Sequence, residues 1–276
     1  MNNKIKIILC VLIFAAGLSI MLYPAISNYF HQKNQVGVIE DYRKQAEKMS
    51  EVQLEELKGN AREYNRLLAE LVINGNTALT SSGLAYNNLL NVNDDVMAYI
   101  NIPVCNINLP IRHGCDENIL QKSAGHIPES SLPIGGENTH SVITAHRGLP
   151  SAKLFTNIDI LKEGDLFYIH ILNETLAYKV DSIKVVLPDD TSNLRIVPGE
   201  DYVTLVTCTP YGINTHRLLV RGTRTEYIQQ VEEKQTQEVK AKHNRIMILY
   251  VIGIIVAILI LFIIYFIRKR LAKQRI

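Results

Sequence analysis

Two long apolar runs enclose the rest of the chain. The first, over 5–23, is broken only by Lys6, Gly17 and Ser19, and the second, over 246–267, contains no charged residue. About 20 apolar residues cross a bilayer as a helix, so transmembrane helices are predicted at both ends. A cleaved signal peptide is the alternative interpretation of the first run. We favour an uncleaved anchor, because the only small-residue cleavage candidate, over 15–17, lies inside the run.

Basic residues flank these runs and predict their orientation. Lys4 and Lys6 precede the first run, and 268–275 contains five more basic residues. Basic flanks stay in the cytoplasm, so both termini are predicted inside and the region between them outside the cell membrane. A net charge of +2 gives no indication of nucleic-acid binding.

The segment 35–74 is polar, with apolar residues recurring every three to four positions. This period predicts a helix, and the capping-box sequence SEVQ places its start near Ser50. A surface helix packed on the domain is the favoured interpretation, and a helix that binds a partner is the alternative.

From residue 96 the pattern changes to short β-rich stretches separated by Gly, Pro, Asn and Asp. This pattern predicts a mainly β domain, a barrel or a sandwich. Brief helical pieces are expected near 117–122 and 153–160, and a charged helical stalk over 225–245. The predicted strands are 96–102, 107–111, 141–144, 166–171, 176–186, 202–207 and 218–224.

One cysteine lies in the first apolar run, which leaves an odd number outside: Cys105, Cys115 and Cys208. At least one free thiol is therefore expected. Cys105 occupies an apolar position typical of a core, and Cys115 follows a glycine in a turn. A Cys105–Cys115 disulfide across a hairpin is the alternative. A metal site built from His113, Cys115 and His126 matches no zinc spacing.

Cys208 ends one predicted strand, and Arg217 begins the next. A thiol nucleophile needs a cation or base to form thiolate, and donors to hold the oxyanion that follows attack. An arginine opposite a strand-end cysteine meets part of that need. The stretch is therefore either a hairpin with a surface arginine or half of an active site.

The base of such a site must be a histidine. His146 follows a β-rich run and precedes a Gly-Leu-Pro turn, so it lies at a strand end. His216 is next to Arg217, but neighbours in an extended chain point to opposite faces. If Arg217 faces Cys208, His216 does not, and His146 is the better candidate.

These motifs resemble those of the sortases, membrane-anchored transpeptidases of Gram-positive bacteria. GGENTHSVITAHRGLP (135–150) and CTPYGINTHRLLVRG (208–222) resemble the class C, pilin-polymerising branch, which also typically carries a C-terminal transmembrane helix. The similarity extends over about 96–222. It implies a closed sortase-like β-barrel of about eight strands with short helices. It also implies that Cys208 is the nucleophile, His146 the general acid/base and Arg217 the oxyanion or substrate clamp.

The hydropathy and charge pattern, together with the resemblance, predicts a domain organisation. The expected segments are an N-terminal anchor (1–30), an extracellular helical region with an altered lid (31–95), the catalytic barrel (96–225), a juxtamembrane stalk (226–245), a transmembrane helix (246–267) and a basic cytoplasmic tail (268–276).

The implied reaction cleaves an LPXTG-like sorting signal, forms a thioacyl-enzyme and transfers the acyl group to a pilin lysine. It requires no metal or organic cofactor. Pilin subunits and the membrane are the implied partners, with a cell-wall precursor or a housekeeping sortase as further candidates. The loop 187–198 is expected to wall the substrate groove. The alternatives are a housekeeping sortase acting on peptidoglycan, a non-catalytic pilin scaffold, and a cysteine peptidase.

One feature departs from the class C pattern. Class C sortases usually carry a lid with an Asp-Pro-aromatic motif, which would fall over 74–80 in this chain. That segment reads NGNTALT and contains neither Asp-Pro nor an aromatic residue. The lid is therefore predicted to be absent, altered or open.

Overall fold

The computed structural model describes residues 3–75, 79, 83–92 and 96–273. The chain divides into two compact units, Met1–Ile228 and Gln229–Ile276. The first unit contains the long helices α1 (Asn3–Lys48) and α2 (Glu51–Asn74), a one-turn helix α3 (Glu117–Leu120) and the β-domain. The second is built on helix α4 (Gln229–Lys273).

Eight strands close into a barrel in the order β1-β2-β3-β4-β7-β8-β6-β5. Two neighbouring pairs, β2/β3 and β4/β7, are parallel, and the other pairs are antiparallel. The strands are β1 Val96–Ile102, β2 Ile107–His113, β3 Ala124–His126, β4 Thr139–Thr144, β5 Leu166–Ile171, β6 Glu174–Val186, β7 Asp201–Thr209 and β8 His216–Thr225.

Side-chain alternation separates the barrel interior from its outer face. Leu205 of β7 and Val220 of β8 pair directly and belong to the main core. Val206 and Leu219, one position further along each strand, instead form a second small cluster with Val142 of β4. The outer face of β4, β7 and β8 therefore carries a small apolar cluster of its own.

Helix α2 begins where the capping box predicts. Ser50 is the N-cap: its Oγ accepts a hydrogen bond from the Gln53 amide at 3.3 Å, and its own amide donates to Gln53 Oε1 at 2.9 Å. Leu54, Ala61 and Leu68 form part of its buried face. The helix packs on the domain, as its apolar period indicates.

Helix α1 is also attached to the barrel through its C-terminal part. The buried Tyr42 hydroxyl donates to the Met97 carbonyl at 2.9 Å and accepts from the Leu172 amide at 2.8 Å. A buried tyrosine needs such partners for its hydroxyl. They tie the helix to β1 and to the β5–β6 turn.

The mainly β prediction is confirmed. The structure contains all seven strands that the sequence indicates, five of them two or three residues longer than predicted, and adds β3. The three residues of β3, AGH, are too few to show a period of two, so the sequence does not predict this strand. The helical piece expected over 153–160 is wrong in extent, because only a 3₁₀ turn at Ile158–Ile160 forms there.

Among the described residues, one helical stretch, Leu12–Lys48, is long and apolar enough to cross a membrane. The second predicted span, 246–267, lies within α4, and its insertion in a membrane remains a prediction. The expected segment boundaries likewise remain predictions.

Candidate active site

Cys208 lies on the outer face of the barrel, one residue before the end of β7. Strand alternation sets it on the same side as Val206, away from Leu205 and the main core. Its side chain is half-buried and its thiol is free. A thiol in this position is held by a strand and still reaches the surface.

Arg217 is the cross-strand partner of Cys208. The two residues are paired directly in the β7/β8 ladder, and opposed residues of an antiparallel pair project to the same face. The guanidinium Nη1 donates to the carbonyls of Asn214 at 3.3 Å and His216 at 3.2 Å. The arginine is thus held on the outer face beside the cysteine.

His146 reaches the same level from β4. The parallel β4/β7 register pairs Thr144 with Val206. It continues beyond β4, because the Ala145 amide donates to the Val206 carbonyl at 3.3 Å and Thr207 Oγ1 donates to the Ala145 carbonyl at 2.8 Å. The next position in this register corresponds to His146 on one side and Cys208 on the other. The imidazole is 26% exposed.

His216 occupies a different position. It pairs with Thr209 rather than with Cys208, and its Nδ1 lies 2.9 Å from Thr215 Oγ1. The side chains of His216 and Arg217 therefore project to opposite faces of β8, as strand alternation predicts. Cys208, Arg217 and His146 lie at or just beyond the ends of three adjacent strands, and His216 belongs to the opposite face of β8.

Glu117, the first residue of α3, lies next to His146, although the sequence does not predict this contact. Its Oε2 lies 3.3 Å from His146 Nε2, and its Oε1 accepts from Gln121 Nε2 at 3.0 Å. The Gln121 hydrogen bond, followed by the charge of His146, lowers the pKa of the Glu117 carboxyl. No local motif signals this contact, because the two residues are 29 positions apart.

Packing on β3 fixes the segment that carries Glu117. A Cβ on Gly125 would lie 2.3 Å from the Gly114 carbonyl oxygen and 3.3 Å from the Cys115 Cα. Only glycine allows the backbone of 114–115 to approach the strand so closely. The close approach sets where α3 begins, and therefore where Glu117 meets His146.

A small apolar cluster packs on the same outer face of the barrel as the site. The cluster of Val142, Val206 and Leu219 is joined by the partly buried Val186 and Leu194. Leu194 belongs to the β6–β7 connection. The carbonyl of the next residue in that connection accepts a hydrogen bond from the ring of His140 of β4, 2.8 Å away.

The two other cysteines of the β-domain have different environments, and both are free. Cys105 is buried and its thiol donates to the Asn157 carbonyl at 3.2 Å. Burial, with a smaller contribution from Asp165, raises the pKa of this thiol to about 12. Cys115 is exposed. The alternative of a Cys105–Cys115 disulfide is therefore wrong in this structure.

Two histidines of the discounted metal site bind other groups. His113 Nε2 lies 2.6 Å from the Leu89 carbonyl, and His126 Nε2 lies 2.8 Å from the Ser131 carbonyl. Within the described ranges, no three His, Cys, Asp or Glu side chains are grouped as a metal site would require.

The predicted lid position lies mostly outside the described residues. Helix α2 ends at Asn74, and Gly75 caps it in the left-handed conformation at φ 70°. Residues 76–78 and 80 are not among those described, so the altered lid remains a prediction.

Comparison with known proteins agrees with this architecture. The Sortase domain family matches residues 100–225. Sortase C1 of Streptococcus agalactiae is 46% identical, with a TM-score of 0.63, over 69% of this chain and 99% of that one. Sortase C of Clostridium perfringens, solved with the C-terminal cell wall sorting motif, is 48% identical, with a TM-score of 0.60, over 70% of this chain and 100% of that one.

A curated relative extends the similarity over most of the chain. Sortase A of Streptococcus agalactiae serotype III (strain NEM316) is 26% identical over 251 residues, which are 88% of this chain and 95% of that protein. The sortase domain and these sortase relatives indicate cysteine transpeptidase activity. The chain belongs to the sortase family, and its structural neighbours named above are class C sortases.

Proposed function

We propose that Cys208, His146 and Arg217 are the reaction centre of a class C sortase that joins pilin subunits covalently. The observation that carries this proposal is the position of the three residues at neighbouring strand ends, with Cys208 paired to Arg217 across β7 and β8 and His146 two residues beyond the end of β4. A nucleophile, a proton carrier and an oxyanion donor are what acyl transfer through a thioester requires.

In the first half-reaction, the Cys208 thiolate attacks a backbone carbonyl carbon of an LPXTG-like sorting signal. The carbonyl oxygen becomes an oxyanion, and the Arg217 guanidinium stabilises it by charge-assisted hydrogen bonding. The peptide C–N bond then breaks, and the His146 imidazolium gives its proton to the leaving amine. The product is a thioacyl-enzyme with a neutral imidazole.

In the second half-reaction, a pilin lysine amine attacks the thioester carbonyl. His146 accepts the proton that the amine loses, and the C–S bond breaks to return the thiolate. The new isopeptide bond joins two subunits. Glu117 Oε2 lies 3.3 Å from His146 Nε2, beside the ring that carries the proton in both half-reactions.

The position of the 187–198 segment beside the outer face that carries Cys208 supports its assignment as a wall of the sorting-signal groove. Leu194 of this segment packs on the apolar cluster of Val142, Val206 and Leu219. These three side chains are at most 7% exposed, so they hold the segment on the barrel and do not meet the signal themselves.

The membrane arrangement follows from the two apolar runs. Anchors at both ends, with basic residues on the cytoplasmic side, would hold the barrel at the outer surface of the cell membrane. Secreted pilin substrates are present on that side.

The test uses the full chain in detergent micelles with a purified pilin that carries a sorting signal. A covalent ladder on a denaturing gel is expected, and Cys208→Ala should remove it. Attachment to a peptidoglycan precursor without a ladder would instead identify a housekeeping sortase. Hydrolysis that persists in the presence of excess acceptor amine would identify a peptidase, and fibre assembly retained by Cys208→Ala in cells would identify a scaffold.

The two histidines provide a matched pair for the site assignment. His146→Ala should abolish thioacyl formation, whereas His216→Ala should leave substantial activity because its ring does not face the cysteine. Equal losses in the two variants would contradict the strand-facing argument.

A further inference from the structure

Arg147 directly follows His146, but its environment is very different. The side chain of Arg147 is 9% exposed, compared with 26% for His146. A guanidinium buried to this degree at the edge of an active site carries a desolvation cost, which specific partners must offset. Those partners indicate what the residue does.

The partners of Arg147 belong to three separate pieces of the site. Its Nη2 forms an ion pair with Asp159, in the same β4–β5 connection. Its Nη1 donates to Thr209 Oγ1 at 3.4 Å, and Thr209 is the neighbour of Cys208. Its guanidinium carbon also lies 5.8 Å from the ring centre of Tyr211, in the β7–β8 loop.

Two hydrogen bonds within the β4–β5 connection hold the loop that carries His146 and Arg147. The His146 carbonyl accepts from the Phe155 amide at 3.0 Å, and the Gly148 amide donates to Thr156 Oγ1 at 3.1 Å. Gly148 has φ +81°, and a Cβ there would lie 3.2 Å from the Tyr211 ring. The loop therefore lies directly against the β7–β8 loop, with Arg147 as the polar link between them.

One atom of this arginine has no partner among the described residues. The Nε of Arg147 is buried without a hydrogen bond, although most buried polar atoms are satisfied. An apolar side chain would fill the same space without that cost. A guanidinium differs in that its donors fix the direction and distance of the groups they bind. Here those groups are the His146 loop and the end of the Cys208 strand.

We propose that Arg147 is a positioning residue that sets His146 relative to Cys208, by tying the His146 loop to Thr209 and Tyr211. The proposal rests on the catalytic roles proposed above for His146 and Cys208. It gives Arg147 no direct contact with the substrate.

The test compares Arg147→Met, Arg147→Lys and Thr209→Val in the full chain in detergent micelles. The substrate is a sorting-signal peptide, and rates are normalised to the fraction of Cys208 that a small thiol reagent labels, read by mass spectrometry of the digested peptide that contains Cys208. Arg66→Met is the matched control, because Arg66 is also ion-paired but is 54% exposed on α2. The pH dependence of Cys208 alkylation supplies a readout that loss of stability alone does not change.

Misplaced reacting groups can slow catalysis by about 100-fold, so Arg147→Met should lower kcat for thioacylation about 10- to 100-fold at roughly unchanged KM. The pH profile of alkylation should shift as well. Arg147→Lys should recover part of kcat, Thr209→Val should lower it less than Arg147→Met, and Arg66→Met should match the wild type.

Wild-type kcat per labelled site in both Arg147→Met and Thr209→Val would overturn the proposal. If Arg147→Met does not fold, Thr209→Val decides alone, and an unchanged kcat overturns it. Retained thioacylation in His146→Ala would instead contradict the proposed function itself. The two failures are therefore distinguishable.

Discussion

His126 makes the stability of the barrel sensitive to acid. Its ring is fully buried between β2, β3 and the segment before the barrel, with Tyr86 stacked on one side at a ring-centre distance of 5.7 Å. Nε2 donates to the Ser131 carbonyl at 2.8 Å, and Nδ1 lies 3.0 Å from the Tyr86 hydroxyl. Both nitrogens are therefore satisfied in the neutral ring.

Burial lowers the pKa of His126 from 6.5 to about 4, although the Ser131 hydrogen bond partly opposes this, and the nearby His113 lowers it further. Below pH 6.5 the His126 ring binds a proton in the unfolded chain but stays neutral in the folded protein. The free energy of unfolding therefore falls as the pH decreases. The pKa difference corresponds to about 2–3 kcal/mol lost between about pH 7.5 and pH 4.5.

The assay is urea unfolding of the full chain in detergent micelles at these two pH values. The chain has 13 tyrosines and no tryptophan, so tyrosine near-UV dichroism reports the packing. The comparison with His126→Gln isolates this residue from other titrating groups, including the buried His140, whose pKa burial also lowers. The variant should be less stable at neutral pH but should lose less stability in acid. Equal acid losses in the two proteins would refute the reasoning.

Three further predictions follow from contacts near the site. Gly125→Ala should lower the free energy of unfolding by about 1–3 kcal/mol in the same assay, because the added Cβ would overlap backbone atoms. Gly59→Ala, in an open helical position, should instead raise the free energy of unfolding by about 0.5–1 kcal/mol. Similar effects of the two substitutions would contradict this packing. Glu117→Gln should slow thioacylation by at most about fivefold, because the carboxylate is largely exposed, and a much larger loss would mean that Glu117 itself moves a proton. A small thiol reagent at mildly alkaline pH should label Cys115 but not Cys105, whose thiol is buried with a pKa of about 12; labelling of both would contradict that burial.

Local patterns predict much of this architecture. Strands of six residues or more show their period of two or their β-branched character, and the capping box at Ser50 marks a helix start to within one residue. The pairing of Cys208 with Arg217 follows from a hairpin alone, since its register depends on residues close in sequence. The exclusion of His216 rests on alternation within a single strand.

Contacts between distant segments are harder to predict. Strand β3 is too short to carry a pattern, and its position depends on Gly125 meeting the backbone of 114–115. Glu117 and Arg147 lie in sequences that give no sign of their partners. Their contacts arise only after the barrel has brought the ends of β4 and β7 together.

Mass spectrometry of the trapped intermediate shows whether Cys208 forms the acyl bond. The full chain would be mixed with an LPXTG-type peptide, quenched in acid and digested. We predict an acyl adduct on the peptide that contains Cys208, and none in Cys208→Ala. An adduct on Cys105 or Cys115, or one that persists in Cys208→Ala, would contradict the account.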